Sequence, residues 1–381
     1  MVGLLGGQYE LFNTKSMDKL GSDIEAIHRA HHVQPTIFVS LASYRDVLCS
    51  DTLNYIFLNA RHPQNIYIGL VDQGSELLEE QLKKDGDPLV NGTTSAVDPD
   101  YPVSHCYRGL KISKELALNN IRRTTMTVPE SRGPTLARQR ASMLYRNETY
   151  YMQIDSHVRF IVDWDLYVMN DLWSLKGRAS KGRHGVPKAI LSAYPMPYEE
   201  TDPGLPKDDQ KEVSRLCKAV FNKNGMITFN GYILKATATP AEIPFVAAGF
   251  FFGNAEFLEK VPFDPHLPNL FEGEEILLTV RLFTIGGYRF FAPTKNLCYH
   301  YYMRSKHPKF WNDNTSYQIE MAQSQDRVKY ILGMDPGADL SQPKYVDLEP
   351  YDIKNKSLIN DYWERYNIDV GKSTMDVDKW C

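Results

Sequence analysis

Residues 35–71 constrain the fold more strongly than any other part of the chain. Residues 35–40 and 65–71 are apolar and β-branched, which predicts two buried strands, and residues 51–60 between them carry apolar side chains at helical spacing. A strand, a helix and a strand joined by short links form a βαβ unit, which places its two strands in parallel. We therefore predict an α/β fold with a mostly parallel central sheet flanked by helices.

The rest of the chain continues this alternation. Further strands are predicted at residues 124–128, 150–154, 189–193, 226–234, 245–253, 288–291 and 297–301, the last two closing the sheet. Helices are predicted at residues 131–146, 273–283, 317–332 and 358–366. We expect an N-terminal lead-in (residues 1–33), one α/β domain (residues 34–302) with polar insertions at residues 74–110 and 195–225, and a C-terminal extension (residues 303–381) packed on that domain.

Composition limits the partners of the chain. Of its 381 residues, 43% are hydrophobic and 24% are charged, as in globular proteins, and the net charge of −4 gives no reason to expect nucleic-acid binding. No apolar run reaches roughly 18 residues, so no transmembrane helix and no membrane partner are predicted. The apolar stretch at residues 1–7 is too short for a signal peptide and lacks a basic start.

The cysteines indicate the compartment. The chain has five of them, Cys49, Cys106, Cys217, Cys298 and Cys381. They are far apart, odd in number and form no Cys-x-x-Cys pair. We predict free thiols in a reducing compartment, and hence a cytoplasmic location, rather than a disulfide framework or a zinc site.

A candidate metal site follows the predicted strand at residues 150–154, which runs directly into Asp155, Ser156 and His157. A carboxylate and an imidazole two residues apart at a strand end suit one divalent ion, because Mn²⁺ and Mg²⁺ prefer oxygen ligands and Mn²⁺ also accepts imidazole. His300, which ends another apolar segment, is the best third ligand. The alternatives are a hydrogen-bonded surface role for His157 and a core role for His300.

Candidate nucleotide-binding residues follow the first two strands. In such sheets, ligands bind beyond the carboxyl ends of the strands. Ser40 and Ala42 are small enough to permit backbone approach, and Tyr44 and Arg45 come next, with Arg45 suited to meet a base or a phosphate. Asp72 ends the second strand, where its carboxylate could accept from the imide N–H of uracil. A helix cap is the alternative for Asp72.

Three further groups complete the candidate site. Arg132 lies at the start of a predicted helix and Arg138 lies one turn further on, so a partner anion is expected near them. The alternative is that these side chains belong to a solvated face of the helix. Gly249 lies among small residues and rings that suit close approach of a sugar. Glu274 and Glu275 open a helix, where acids are stabilising in any case, but where a carboxylate could also bind hydroxyl groups.

A basic and aromatic segment, residues 304–311, follows His300. It could close over a diphosphate, with Trp311 as a stacking surface, or it could be an ordinary charged loop.

Taken in order, these motifs resemble a known family. The motifs are residues 35–46, residues 68–73, Arg132-Gly133-Pro134 with Ala137-Arg138, residues 153–157, and residues 273–275. Over about residues 34–302, the chain resembles the GlcNAc-transferase family typified by the cytoplasmic enzyme that modifies hydroxyproline on Skp1, glycosyltransferase family 60. The metal tripeptide also resembles that of polypeptide GalNAc-transferases, which share the GT-A fold.

The resemblance implies a GT-A, Rossmann-like catalytic domain, a UDP-GlcNAc donor, Mn²⁺ (or Mg²⁺), a Skp1-like protein acceptor and a retained anomeric configuration. It assigns Asp155, His157 and His300 to the metal, and Arg45, Asp72 and Arg138 to donor-site positions. We expect Asp155, Glu274 and Glu275 to be the catalytic residues, with either glutamate orienting hydroxyl groups.

Alternatives remain for the reaction and the substrates. The acceptor hydroxyl would attack from the face that the diphosphate leaves and pass its proton to the departing phosphate, but a covalent route through a carboxylate is also open. The substrates could be another UDP-sugar or a glycan or lipid acceptor. A non-catalytic UDP-sugar-binding protein is the third hypothesis.

Overall fold

The computed structural model describes residues 14–76, 104, 106–199, 202, 204–207, 209–304, 307–376 and 379–381. Much of the N-terminal lead-in and most of the insertion predicted at residues 74–110 lie outside the described residues.

Strands and helices alternate through the first half of the chain. The strands are β1 (Ile37–Tyr44), β2 (Ile66–Gln73), β3 (Ile121–Met126), β4 (Tyr150–Asp155), β5 (Val158–Phe160), β6 (Ala189–Ser192), β7 (Met196–Pro197), β8 (Glu212–Phe221), β9 (Ile227–Lys235), β10 (Ala241–Glu242), β11 (Phe250–Asn254), β12 (Arg289–Ala292), β13 (Cys298–His300), β14 (Ile368–Asp369) and β15 (Thr374–Met375). The helices are α1 (Thr14–His31), α2 (Cys49–Leu58), α3 (Lys114–Asn120), α4 (Pro134–Ser142), α5 (Trp164–Ser174), α6 (Phe257–Lys260), α7 (Glu274–Arg281), α8 (Phe310–Asp313), α9 (Tyr317–Ile331) and α10 (Ser357–Arg365).

The central sheet has eight strands in the order β10-β12-β6-β11-β4-β1-β2-β3. Six strands are parallel to one another, while β10 and β11 run against their neighbours. The predicted βαβ unit is confirmed, because β1 pairs in parallel with β2. Side chains of β4 alternate between two apolar clusters, with Tyr150 and Met152 in one and Tyr151 in the other, so both faces of the sheet are buried at β4.

Two predicted strands differ from the structure. Residues 245–249 are not part of β11, because the backbone N–H groups of Val246, Ala247 and Ala248 donate to side chains instead of to a neighbouring strand. The prediction that residues 297–301 close the central sheet is wrong. Strand β13 pairs with β5 and β7 in a separate three-stranded sheet, so this segment crosses the end of the central sheet.

The insertion predicted at residues 195–225 contains a long strand that the sequence did not indicate. Strand β8 forms an antiparallel hairpin with β9, with a bulge between Leu216 and Lys218. Charged residues on β8 disguise the strand pattern, since Glu212, Arg215 and Lys218 interrupt its apolar residues.

The prediction of free thiols is wrong. Cys49 pairs with Cys106, and Cys217 pairs with Cys381, across 57 and 164 residues of sequence. Among the described residues only Cys298 is free, and it is buried. Such long separations leave no local spacing signal, which is why the pairing could not be read from the chain.

The C-terminal extension packs on the α/β domain. Arg327 on α9 forms a fully buried ion pair with Asp264 at 2.8 Å, and the Tyr362 hydroxyl on α10 donates to the carbonyl of Pro244. The Cys217–Cys381 disulfide joins the chain end to β8. None of the helices in the described ranges has the length and apolar composition that crossing a bilayer requires.

Candidate functional site

A cavity of about 550 Å³ opens at the carboxyl ends of β1 and β4. Its walls come from these strand ends, the first turns of α4, the start of α7, the end of β13 and residues 308–311. The position follows from the topology, because parallel strands bring their carboxyl ends to one edge of the sheet, where the connecting loops leave a crevice.

Asp155, His157 and His300 converge at this edge. One potential ligand atom from each lies within 4.8 Å of the other two. His300 Nε2 lies 3.2 Å from Asp155 Oδ2, and the two imidazole rings meet edge to face at 4.4 Å between centroids. Burial lowers the pKa of His300, which favours the neutral imidazole that binds metals. The structure thus brings together the three residues predicted from the sequence.

Asp46 orients His157, a role that the sequence did not reveal. The Asp46 carboxylate is fully buried and accepts from His157 Nδ1 at 2.7 Å and from the Ser156 hydroxyl at 2.6 Å. Burial opposes its ionisation, but the contacts with His157 and Arg304 hold the pKa of Asp46 well below its usual range. A carboxylate only accepts, so His157 Nδ1 carries the proton and its Nε2 is left as a ligand atom. Asp46 does end the motif at residues 35–46, but its type alone suggested no function.

Arg138 links the two acidic parts of the site. Its guanidinium donates to Asp155 Oδ1 at 2.7 Å and to Glu274 Oε2 at 2.5 Å, and it is buried. Burial opposes ionisation of Asp155, but the hydrogen bond from His300 and the charge of Arg138 hold the pKa of Asp155 well below its usual range. For Glu274, burial outweighs Arg138, and the pKa is raised.

Glu275 has a different environment from Asp155. It accepts from the Tyr194 hydroxyl at 2.6 Å and from the backbone N–H of Ala248 at 2.8 Å. Burial raises the pKa of Glu275 to about 7, although both hydrogen bonds lower it. Tyr194 lines the cavity and was not predicted, since a tyrosine after an apolar strand carries no distinctive signal.

The predicted donor residues divide between the cavity and its surroundings. Ala42, Tyr44 and Gly249 line it. A Cβ at Gly249 would lie 3.0 Å from Asp155 Oδ2, so glycine permits this close approach. Ser40 is fully buried in β1 and does not line the cavity.

Arg45, Asp72 and Arg132 also lie outside the cavity lining. Arg45 pairs with Asp313 at 2.9 Å, and Arg132 pairs with Glu320 at 3.0 Å. Asp72 is buried, and its carboxylate accepts from Arg123 at 2.8 Å and from the Ser75 hydroxyl. These three side chains therefore have protein partners in this conformation.

Cationic and aromatic side chains surround the mouth of the cavity. Arg304, Lys309 and Trp311 line it within the predicted basic segment, of which residues 305 and 306 lie outside the description. Phe271, which is 55% exposed, faces Trp311 at 5.9 Å between ring centroids. Positive charge and exposed rings at one opening suit a ligand with both phosphate and apolar or sugar parts.

The fold is of the GT-A type. The chain belongs to the family described as Glycosyltransferase (GlcNAc), whose model matches residues 36–372. No curated protein matches the chain closely enough to count as a relative.

A solved structure shares the fold of this chain. A crystal structure of GalNAc-T7 with UDP, GalNAc and Mn²⁺ superposes with a TM-score of 0.53 at 15% identity, and the match covers 87% of this chain. The chain spans only 57% of the length of that structure. TarS from S. aureus, alone and in complex with UDP-GlcNAc, gives TM-scores of 0.37 and 0.38 at 11% identity, over 83% and 89% of this chain and 80% and 81% of the TarS chains.

Proposed function

We propose that this chain is a metal-dependent, retaining glycosyltransferase that moves GlcNAc from UDP-GlcNAc to a protein hydroxyl, with hydroxyproline of a Skp1-like protein as the expected acceptor. The observation that carries the proposal is the convergence of Asp155, His157 and His300 beside the cavity, with Asp46 orienting His157. Family membership supports GlcNAc as the transferred sugar.

The residues present fit a divalent cation. One carboxylate oxygen and two imidazole nitrogens form a donor set that suits Mn²⁺ better than Mg²⁺. His300 Nδ1 is buried without a hydrogen-bond partner among the described residues, whereas its Nε2 contacts Asp155, the carboxylate with which it would share the cation. A bound Mn²⁺ would supply positive charge for the diphosphate of the donor.

The protein's own groups then act on the two substrates. Arg304 and Lys309 provide further positive charge at the mouth, where a diphosphate would lie. The acceptor hydroxyl oxygen forms a bond to the sugar C1 as the C1–O bond to the diphosphate breaks. The hydroxyl proton passes to the departing phosphate. Electrostatic stabilisation of this leaving group is the largest expected contribution to the rate.

Glu275 is better suited to orient hydroxyl groups than to attack C1. Both of its oxygens already accept hydrogen bonds, and a pKa of about 7 leaves much of it protonated near neutral pH. Its neighbour Glu274 is held by Arg138. These contacts favour the route without a protein nucleophile over the covalent one.

The cytoplasmic location remains a prediction. The two disulfides weigh against it, because such bonds are typical of oxidising compartments.

A panel of UDP-sugars with Mn²⁺, scored by release of UDP, tests the donor. Faster release from UDP-GlcNAc than from the other UDP-sugars would support the proposal, and a preference for another sugar would favour the alternative transferase. Binding of UDP and Mn²⁺ without any release would instead favour a non-catalytic protein. A hydroxyproline peptide, matched with a proline peptide as control, then tests the acceptor by mass spectrometry.

A further inference from the structure

The hairpin of β8 and β9 has two edges with different surroundings. On the outer side of β8, strand β15 lies nearby: the backbone N–H of Ala219 contacts Met375 Sδ at 3.2 Å, and Cys217 is joined to Cys381. On the other side, β9 pairs with no strand other than β8 within the described ranges. One edge of the hairpin is therefore covered by the chain terminus, and the other offers unpaired backbone groups.

The orientation of those backbone groups follows from the register. The N–H of Ala236 donates to the carbonyl of Lys211, and the N–H of Asn222 donates to the carbonyl of Met226, which fixes the hydrogen-bonded pairs at both ends of the hairpin. Because such pairs alternate along an antiparallel ladder, the N–H and C=O groups at positions 227, 229, 231 and 233 point away from β8. None of them has a hydrogen-bond partner in the part of the chain that the structure describes. Ile227 and Phe229 are buried, so the groups that another chain could reach are those at positions 231 and 233.

The outer half of β9 is open to solvent. Four consecutive residues, Asn230, Gly231, Tyr232 and Ile233, are exposed. Successive side chains of a strand point to opposite faces, so four exposed neighbours mean that both faces are open there. Tyr232 and Ile233 are 39% and 54% exposed and place apolar surface on each face. Such an edge is a template for another extended chain.

The same strand leads into the catalytic cavity. Ile227 and Thr228, at the other end of β9, line it. From Thr228 to Ile233 the strand spans about 17 Å. A polypeptide that pairs at Gly231 and Ile233 and continues in the direction of β9 would thus place a residue about five positions away at the cavity.

We propose that the exposed part of the β9 edge, residues 230–233, binds the acceptor polypeptide as an added strand and directs its hydroxyl group to the cavity at Thr228. This inference rests on the proposed function and adds the binding mode of the acceptor to it. Continuity of the edge with the cavity identifies the occupant as the acceptor, and the exposed apolar side chains provide surface for alternate residues of that segment.

The test compares Ile233→Pro with Ile233→Ala in transfer from UDP-GlcNAc and Mn²⁺ to 13-residue peptides with a central hydroxyproline, serine or threonine. Proline removes the outward N–H without touching a ladder hydrogen bond, whereas alanine keeps it. We expect a peptide KM about ten-fold higher for proline and changed by less than about three-fold for alanine. Release of UDP without peptide should be unchanged in both variants.

A second measurement uses the unaltered protein, so it does not depend on folding of a variant. Two sets of peptides are N-methylated at alternate backbone positions on one side of the hydroxyl. The set that blocks the N–H groups facing β9 should lose transfer, and the set that blocks the N–H groups facing away should keep it. Truncation of that flank below about five residues should also raise KM.

Equal transfer in both registers would overturn the proposal, as would UDP release without transfer to any peptide of the panel. The protein could instead self-associate through this edge. If Ile233→Pro abolished self-association and left the peptide KM unchanged, the edge would bind a second copy of the chain and not the acceptor. Absence of UDP release from the unaltered protein would contradict the proposed function itself.

Discussion

The cavity has two walls that treat carboxyl groups differently. On the wall formed by β4 and β13, Asp155 lies against Arg138 and His300, and its pKa is held well below the usual range. On the wall formed by the start of α7, the Glu275 carboxyl group accepts from the Tyr194 hydroxyl and the N–H of Ala248, and burial raises its pKa to about 7. Burial opposes ionisation on both walls, and nearby positive charge offsets it only at Asp155.

This difference divides the site by chemistry. An ionised carboxylate beside two imidazoles suits a cation and the phosphates it attracts. A carboxyl group that keeps its proton near neutral pH suits hydroxyl groups, because it both donates and accepts hydrogen bonds. The partners of each group, rather than its residue type, assign these roles.

Asp155→Asn is expected to have the largest effect, because it removes the only carboxylate of the metal cluster. Transfer and donor hydrolysis should both fall by roughly a thousand-fold or more. UDP release with Mn²⁺ measures the change. Asp369→Asn, which lies beside exposed Lys372, is the matched control and should keep full activity. A variant Asp155→Asn that retains a tenth of the activity would contradict the metal assignment.

Arg138→Met removes the cation that joins the two walls. It leaves Asp155 and Glu274 without their shared buried partner, so the free energy of unfolding should fall by about 3–5 kcal/mol. Urea unfolding followed by fluorescence measures this loss. In the control Arg132→Met, the exposed pair with Glu320 is lost, and the change should stay below about 1 kcal/mol. Adding Glu274→Gln to Arg138→Met should restore part of the stability.

Asp46→Asn tests the orientation of His157 on the first wall. Without a carboxylate to accept from Nδ1, the imidazole tautomer is no longer fixed, and the Mn²⁺ dissociation constant should rise by roughly 10–100-fold. Titration of Mn²⁺ by electron paramagnetic resonance in the presence of UDP reads this directly. Asp51→Asn, which pairs with Arg159 instead, should leave metal affinity unchanged. Equal affinities in all three proteins would remove the positioning role of Asp46.

Glu275→Gln tests the second wall through pH, and its effect should be the smallest. Between pH 4.5 and about 7 the folded protein keeps a proton that the unfolded chain has lost, so the free energy of unfolding should fall as pH rises through this window. The glutamine variant lacks this fall, so by pH 8 its free energy of unfolding should have risen by roughly 1–3 kcal/mol relative to that of the original protein. Tyr194, Glu274 and Arg138 are the ionisable groups with the largest influence on Glu275, and Tyr302 also interacts with it.

Urea unfolding at several pH values measures the difference, with exposed Glu259→Gln as the control. Parallel pH profiles for the original protein and Glu275→Gln would show that the two walls do not differ as described.

Local sequence patterns predicted the parallel half of the molecule well. The βαβ unit, the strand that carries Asp155 and the helix that begins at Glu274 all have strong periodicity or end signals. His300 was also predicted, because it ends an apolar segment in the same way as Asp155. Such signals lie within a few residues of one another, which is why one chain suffices to read them.

Other features depend on residues that are far apart in the chain. No residue near Asp46 in the sequence indicates that it would accept a hydrogen bond from His157, 111 positions away. Likewise, no residue near Tyr194 indicates that its hydroxyl would donate to Glu275. The two disulfides and the open edge of β9 also depend on segments that are far apart in the chain.

The sequence by itself determined the class of fold and the residue types available for a metal, because periodicity and strand ends are local properties. Tertiary structure decided which carboxyl group is ionised, which imidazole nitrogen faces the site and which strand edge stays open. Burial and the position of a distant charge set these properties, and both arise only when separate segments of the chain meet.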